Sequence, residues 1–284
     1  MPEVVSRVFV IVNPQKDDAR SILQEIQRYF RSRGVALSLH DQNGSIPDAA
    51  LRDVDLAISL GGDGTLLSCA RACVHGGIPI LAVNLGTFGF ITEVSKTEWR
   101  AAYEKFISGK LGISRRVMIE ASVMRGKDVI CSLTGLNDAV VGSSGISRLI
   151  ELKLFLANSY VGRYRADGVI ISTPTGSTAY SMGAGGPILH PEMEAFILNP
   201  ICPFTLSNRP LVVSGHEDIE LEVERLERTD VVLTVDGQQP VPLEPGDRIG
   251  LRMLENRSLI IRSDQRNFYE VLRSKLKWSG EPNA

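Results

Sequence analysis

Cysteine and histidine are scarce in this chain, and their placement excludes several chemistries. The four cysteines (Cys69, Cys73, Cys131 and Cys202) are too scattered for a disulfide framework. Cys69 and Cys73 fall at i, i+4 on one helical face, yet no Cys or His partner follows at metal-ligand spacing. They read as small buried thiols, with no metal site expected. The four histidines (His40, His75, His190 and His216) form no pair or triad. An excess of charge is missing too: 31 basic residues against 33 acidic ones leave a formal net charge of −2. That argues against broad capture of nucleic acid or of an anionic membrane, so any anion must be held by local groups. No apolar run approaches the length of a membrane span, and Ile78 to Leu85 suits a buried strand instead. Met1 to Ser6 is polar and carries Glu3, which does not fit a signal peptide. The expectation is a cytoplasmic protein with no membrane partner.

What is present is a globular balance, 43% hydrophobic and 23% charged, over 284 residues, enough for one large domain or two ordinary ones. The first hundred residues alternate strand and helix signals. Arg7 to Val12, Val35 to Leu39, Leu56 to Leu60 and Ile78 to Val83 read as strands. Asp17-Asp18 supplies negative charge at a helix start, Ile22, Leu23, Ile26, Tyr29 and Phe30 recur at helical spacing, and Gly34 fits the stop. Thr65 to Val74 reads as a second helix. Such alternation implies a largely parallel α/β sheet, a Rossmann-like domain over 1–95. Ser95-Lys96-Thr97-Glu98 has the capping-box pattern for a helix running to Ser108. Beyond Gly109 the chain turns β-rich, with runs at Arg116 to Met124, Asp128 to Leu133, Leu149 to Leu156, Phe204 to Val213, Ile219 to Val223, Val231 to Val235, Arg248 to Leu254 and Ser258 to Arg262. These predict a mainly antiparallel second domain over 96–263, with a closing amphipathic helix within 264–278.

Leu56 to Leu60 runs straight into Gly61-Gly62-Asp63-Gly64-Thr65, and a helix follows. Ligands of open α/β sheets bind beyond the carboxyl ends of the strands. Glycines there let backbone N–H groups approach phosphate oxygens, and the next helix adds the positive end of its dipole. Thr65 offers a hydroxyl donor at the same end. Glycines alone would merely make a tight turn. An acidic residue between them points a carboxylate into an anion site, which suits taking a proton from a hydroxyl, aligning it, or helping to place a metal. The loop is neither a Walker A loop nor Gly-x-Gly-x-x-Gly.

A second segment follows the strand Val169 to Ile171. Ten of the seventeen residues from Ser172 to Ile188 are Ser, Thr or Gly, a composition that linkers share. This stretch lies between apolar β-rich regions and contains Pro174, Tyr180 and Met182, so binding of a ligand with several hydroxyls and phosphates is the preferred reading. Upstream, Arg165 and Asp167 would share one strand face, and a surface ion pair is the plain alternative. Asn137-Asp138 interrupts an apolar run, which leaves a turn and a hydrogen-bonding role evenly balanced.

Together these segments closely resemble the NAD kinases over most of the chain. The glycine loop is shared with diacylglycerol kinases and, more loosely, phosphofructokinases. The discriminating stretch runs from Ala166-Asp167-Gly168 through Thr173-Pro174-Thr175-Gly176-Ser177-Thr178-Ala179-Tyr180-Ser181 to Gly185-Gly186-Pro187-Ile188. Asn84 to Phe90 and Lys275-Leu276-Lys277-Trp278 also look like the family pattern. The resemblance implies that Asp63 faces the adenosine ribose of NAD as proton acceptor, with Gly64 beside it and Gly61, Gly62 and Thr65 completing the phosphate loop. It implies that Asn137 and Asp138 hold the dinucleotide, that Arg165 and Asp167 contact ribose or nicotinamide, and that Thr178, Ala179, Tyr180, Ser181, Met182 and Gly183 wrap the adenine-side ribose. Arg148 and Gln238 are further contacts on the same grounds. Asp138 departs from the family's usual Glu by one methylene. A C-terminal β-sandwich, a last helix packed on the first domain, and a homodimer or homotetramer are implied as well. The implied reaction is transfer of the γ-phosphoryl group of ATP, or of another phosphoryl donor, to the 2′-hydroxyl of NAD, with a divalent ion such as Mg²⁺ bridging the donor phosphates. Two rival readings remain in view. A lipid kinase would need an apolar acceptor pocket, which the hydrophilic 166–188 segment argues against. A non-catalytic NAD sensor would be expected to have lost Asp63.

Overall fold

The computed structural model describes residues 5–42, 44, 46–86, 89–145, 149–205, 207–224 and 230–278. The chain runs through β1 (Arg7–Val12), α1 (Ala19–Arg31), β2 (Ala36–Asp41), β3 (Leu56–Gly61), α2 (Asp63–Cys73), β4 (Pro79–Asn84), β5 (Val94–Ser95), α3 (Trp99–Ile107) and β6 (Ile113–Arg116). It continues with β7 (Ile119–Arg125), β8 (Asp128–Gly135), β9 (Asp138–Ser143), β10 (Ile150–Leu156), β11 (Ser159–Ala166), β12 (Gly168–Ser172) and the single turn α4 (Tyr180–Gly183). Then come β13 (Ala195–Ile201), β14 (Leu211–Ser214), β15 (Ile219–Val223), β16 (Val231–Val235), β17 (Val241–Leu243), β18 (Arg248–Met253), β19 (Ser258–Ile261) and α5 (Phe268–Leu276). Two compact units result, one formed by Met1–Arg115 with Arg257–Ala284, the other by Arg116–Asn256.

In the first unit the strands lie in the order β2-β1-β3-β4-β19-β6, with β5 beside β4. The pairings of β1 with β2 and β3, and of β4 with β3 and β19, are parallel. Every residue of β3 and β4 is buried, as expected of parallel strands covered on both faces. The turn that follows α1 closes at Gly34, which takes a φ of +70°, a conformation costly for a residue with a Cβ. The buried face of α3, through Trp99 and Tyr103, meets Tyr29 and Phe30 of α1 edge-on at ring separations of 5.0–5.8 Å. That packing ties α3 to the first unit, so the division lies at 115/116 and not at the 95/96 read from the sequence. The Ser95–Glu98 pattern does not cap α3: Glu98 Oε2 accepts from Ser95 N at 2.9 Å, whereas Ser95 Oγ meets Thr97 Oγ1 and the helix opens only at Trp99.

β19 is a second correction. Read from the sequence as part of the β domain, it pairs in parallel with β4, Leu259 opposite Pro79. The chain therefore returns to the first unit before α5. Arg266 holds it there by donating from both terminal nitrogens to Glu98, at 2.8 and 3.0 Å.

The second unit has two six-stranded sheets, ordered β11-β10-β15-β18-β7-β8 and β14-β13-β12-β9-β16-β17, with antiparallel pairings throughout those described. Strict alternation in Ile219-Glu220-Leu221-Glu222-Val223 buries every second side chain. Its core joins Ala121, Leu152, Leu221 and Leu251 of one sheet to Val141, Ile171, Phe196 and Leu233 of the other. The chain thus combines an α/β domain with an antiparallel β-sandwich. The expected strand from Phe204 shrinks to Leu211–Ser214, because Pro210 cannot donate to a ladder and Asn208 N closes a turn on Thr205 O.

Candidate functional site

Within the first unit the glycine loop joins β3 to α2. A Cβ on Gly61 would overlap the Thr65 side chain, while around Gly62 and Gly64 the space for one is open. Asp63 and Gly64 are the first residues of α2, so their N–H groups have no intrahelical acceptor and are placed for an anion. Thr65 is 1% exposed and donates its hydroxyl to Gln42 Oε1 at 2.6 Å. The hydroxyl expected to serve a phosphate is thereby committed to the fold. Near the carboxyl end of β1, a cleft of about 540 Å³ is lined by Val12, Pro14, Lys16, Asp17, Arg20 and Leu39.

Asp63 is held by the chain that follows β4. Its Oδ2 accepts from Phe90 N at 2.9 Å, and its Oδ1 from Thr92 N at 3.2 Å, Ile91 N at 3.4 Å and the Thr92 hydroxyl at 3.0 Å. Gly89 lies so close that a Cβ there would overlap the carboxylate. Residues 87 and 88 of the Asn84–Phe90 motif lie outside the described residues. Asn84, at the end of β4, bonds both Gly86 N and Thr92 Oγ1, at 2.7 and 2.8 Å.

In the second unit Asp138 opens β9, 6% exposed. Its carboxyl is pushed up to about 7, first by burial and then by the neighbouring Asp236 charge. Asp236 was not singled out in the sequence, yet it organises this corner. Its carboxylate accepts from Leu136 N at 2.9 Å, Asn137 N at 2.7 Å and Asp138 N at 3.3 Å. It adopts a φ of +49° ahead of Gly237 at +64°, and the Asp-Gly pair at 236–237 is the sequence cue for such a turn. Asn137 Oδ1 is buried with no hydrogen-bond partner among the described residues, an acceptor for water or a ligand. Gln238, half-buried, closes the turn through its N–H to Val235 O at 3.0 Å.

The Ser/Thr/Gly segment is closely packed, and its hydroxyls largely serve the fold. Ser172, Thr173, Thr175, Ser177, Thr178 and Ser181 are all buried. Thr173 Oγ1 donates to Leu136 O at 2.6 Å, Ser177 Oγ to Pro174 O at 2.7 Å, and Asn199 Nδ2 to Ser181 O at 2.8 Å. A Cβ on Gly176 would overlap Asn137 O, so this loop and the Asn137 turn are in direct contact. Tyr180 and Gly183 remain exposed, and Ala179 and Met182 half-exposed. Arg165 pairs with Glu151 on the adjacent strand at 3.3 Å and stacks on Phe204 at 4.8 Å. The ion pair described for Arg165 is thus with Glu151, on the neighbouring strand, and not the pair with Asp167 that the sequence offered as the plain alternative. Asp167 lies half-buried between β11 and β12, its N–H on Ile201 O. Arg148 lies outside the described residues.

Residues 39–111 match the family described as the ATP-NAD kinase N-terminal domain, and residues 136–263 its C-terminal domain. An NAD kinase of Treponema denticola is 40% identical over 277 residues, 97% of this chain and 98% of that relative. Among solved structures, an NAD kinase from Archaeoglobus fulgidus in complex with ATP aligns with a TM-score of 0.75 at 27% identity, covering 94% of this chain and 98% of the other. A yeast NADH kinase complexed with NADH aligns with a TM-score of 0.88 over 98% of this chain and 89% of its own; at 24% identity it shows a shared fold.

Proposed function

This chain belongs to the NAD kinase family, and from that premise we propose how its residues divide the work of phosphorylating NAD with ATP to give NADP. Phosphoryl transfer asks a protein mainly to position two substrates and to neutralise charge. The observation that carries the assignment is the Asp63 carboxylate at the first turn of α2, fixed by four donors from Phe90 to Thr92. In this reading Asp63 accepts the proton of the 2′-hydroxyl and keeps the attacking oxygen in line. The N–H groups around Gly62 and Gly64 face the donor phosphates, with Lys16 and Arg20 of the adjoining cleft as their basic complement. A divalent ion, Mg²⁺ by chemistry, enters bound to those phosphates as part of the donor.

The dinucleotide is assigned to Asn137, Asp138, Asp167 and the segment from Thr178 to Gly183, with Arg165 and Gln238 at the edge. Asn137 Oδ1 supports this as an acceptor still to be satisfied, and Tyr180 as an exposed ring for base or ribose. A cytoplasmic homodimer or homotetramer is the matching form. Exposed apolar side chains on the edge strands β8 (Val129, Ile130) and β11 (Tyr160, Val161) favour self-association, and no helix among the described residues is long and apolar enough to cross a membrane.

The test is NADP formation from NAD and Mg–ATP by the purified protein, alongside Asp63→Asn. The variant keeps size and removes the base, so turnover should fall about 100-fold or more while NAD binding changes little. Near-normal turnover would refute the role of Asp63.

A further inference from the structure

We propose that Thr92 is a positioning residue for the transfer: its hydroxyl occupies Asp63 Oδ1 and leaves Oδ2 as the oxygen that meets the acceptor hydroxyl. The proposal rests on the reading of Asp63 above and adds which of its two oxygens works and what selects it.

The selection follows from a chain of donors and acceptors with one solution. Gly86 N–H points at the Asn84 side chain at 2.7 Å, and an N–H needs an oxygen, so Asn84 Oδ1 is fixed there. Asn84 Nδ2 is then the atom 2.8 Å from Thr92 Oγ1, and it can only donate. Gly89 N–H donates to the same hydroxyl at 3.3 Å. A hydroxyl has two lone pairs and one proton. Both lone pairs are taken, so the proton must go to the remaining neighbour, Asp63 Oδ1, at 3.0 Å. Thr92 is 0% exposed and Asn84 3%, which keeps bulk water from offering an alternative.

Asp63 is therefore loaded unevenly. Oδ1 faces three donors, the Thr92 hydroxyl and the N–H groups of Ile91 and Thr92, whereas Oδ2 accepts from Phe90 N–H alone among the described residues. Each carboxylate oxygen has about two acceptor sites, so the open one lies on Oδ2. Without the Thr92 hydroxyl, Oδ1 keeps only the two longer backbone bonds, at 3.2 and 3.4 Å, and the carboxylate, having lost the shortest bond on that oxygen, can rotate away from one geometry. A misplacement of about 1 Å costs on the order of 100-fold in rate.

The experiment is steady-state kinetics of full-length wild type, Thr92→Val and Thr92→Ser, with a thermal melt of each. We expect Thr92→Val to lower kcat about 10- to 100-fold while the KM values for NAD and Mg–ATP stay within about threefold, and Thr92→Ser to recover most of the loss. If Thr92→Val does not accumulate folded, Thr92→Cys, whose thiol is a weak donor of similar size, is measured in its place with the same expectation. A kcat within about twofold of wild type, with only the melting temperature lowered, overturns the proposal, as does a Ser variant no better than Val. Wild type in the same assay separates the two failures. No NADP from wild type refutes the activity and the proposal together, whereas active wild type with an equally active Thr92→Val refutes Thr92 alone.

Discussion

The carboxyl of Asp138 makes the stability of this protein depend on pH in the range where few side chains titrate. In the fold it is raised from 3.8 to about 7 by burial and by the facing Asp236 charge. The folded state thus holds a proton that the unfolded chain gives up above about pH 4. The contribution of this carboxyl is fully present below its unfolded value, and it is lost as pH rises through the folded one. The gap between 3.8 and about 7, at about 1.36 kcal/mol per tenfold in proton concentration, sets the span, on the order of 4 kcal/mol. Asp138→Asn replaces the carboxyl with a neutral group of the same shape, so the span disappears. Denaturant unfolding of wild type and variant at pH 5, 6, 7 and 8, without substrates, isolates the difference between them, since every other titrating group is common to both. The variant should gain relative to wild type from pH 5 to about pH 7, level off by pH 8, and be the more stable of the two at the upper end. A difference that stays constant over those four values would show that Asp138 is ionised throughout, and would remove the argument from burial and Asp236.

Two other perturbations test the packing around the site. Gly176→Ala puts a Cβ into Asn137 O and Ser172 Oγ; it should cost about 1–3 kcal/mol and raise the KM for NAD more than it lowers kcat, since the Asn137 turn must shift. Arg266→Ala removes the paired bonds to Glu98, whose carboxyl is held at about 2, chiefly by Arg266. A depressed carboxyl stabilises above its unfolded value near 4.5 and loses that as pH falls through about 2, so the loss, about 1–3 kcal/mol at neutral pH, should shrink in melts recorded near pH 3.

The sequence by itself determined the architecture and the place of the glycine loop. Parallel strands buried on both faces read as apolar runs, the sandwich strands alternate, and Gly61 to Thr65 follows a strand and opens a helix; these are short-range consequences of residue type. Tertiary structure decided which groups those signals bring together. It took Ser258–Ile261 out of the β domain and into the parallel sheet, because pairing depends on the partner β4 and not on the strand's own residues. It spent the Thr65 hydroxyl on Gln42 and most of the hydroxyls from Ser172 to Ser181 on the fold, since a buried hydroxyl needs a partner wherever the chain supplies one. It also set Asp236 against Asp138 and Thr92 against Asp63 across 98 and 29 residues of chain. Hydrogen bonds over such separations leave no periodicity in the sequence, and only the folded backbone brings their donors and acceptors within reach.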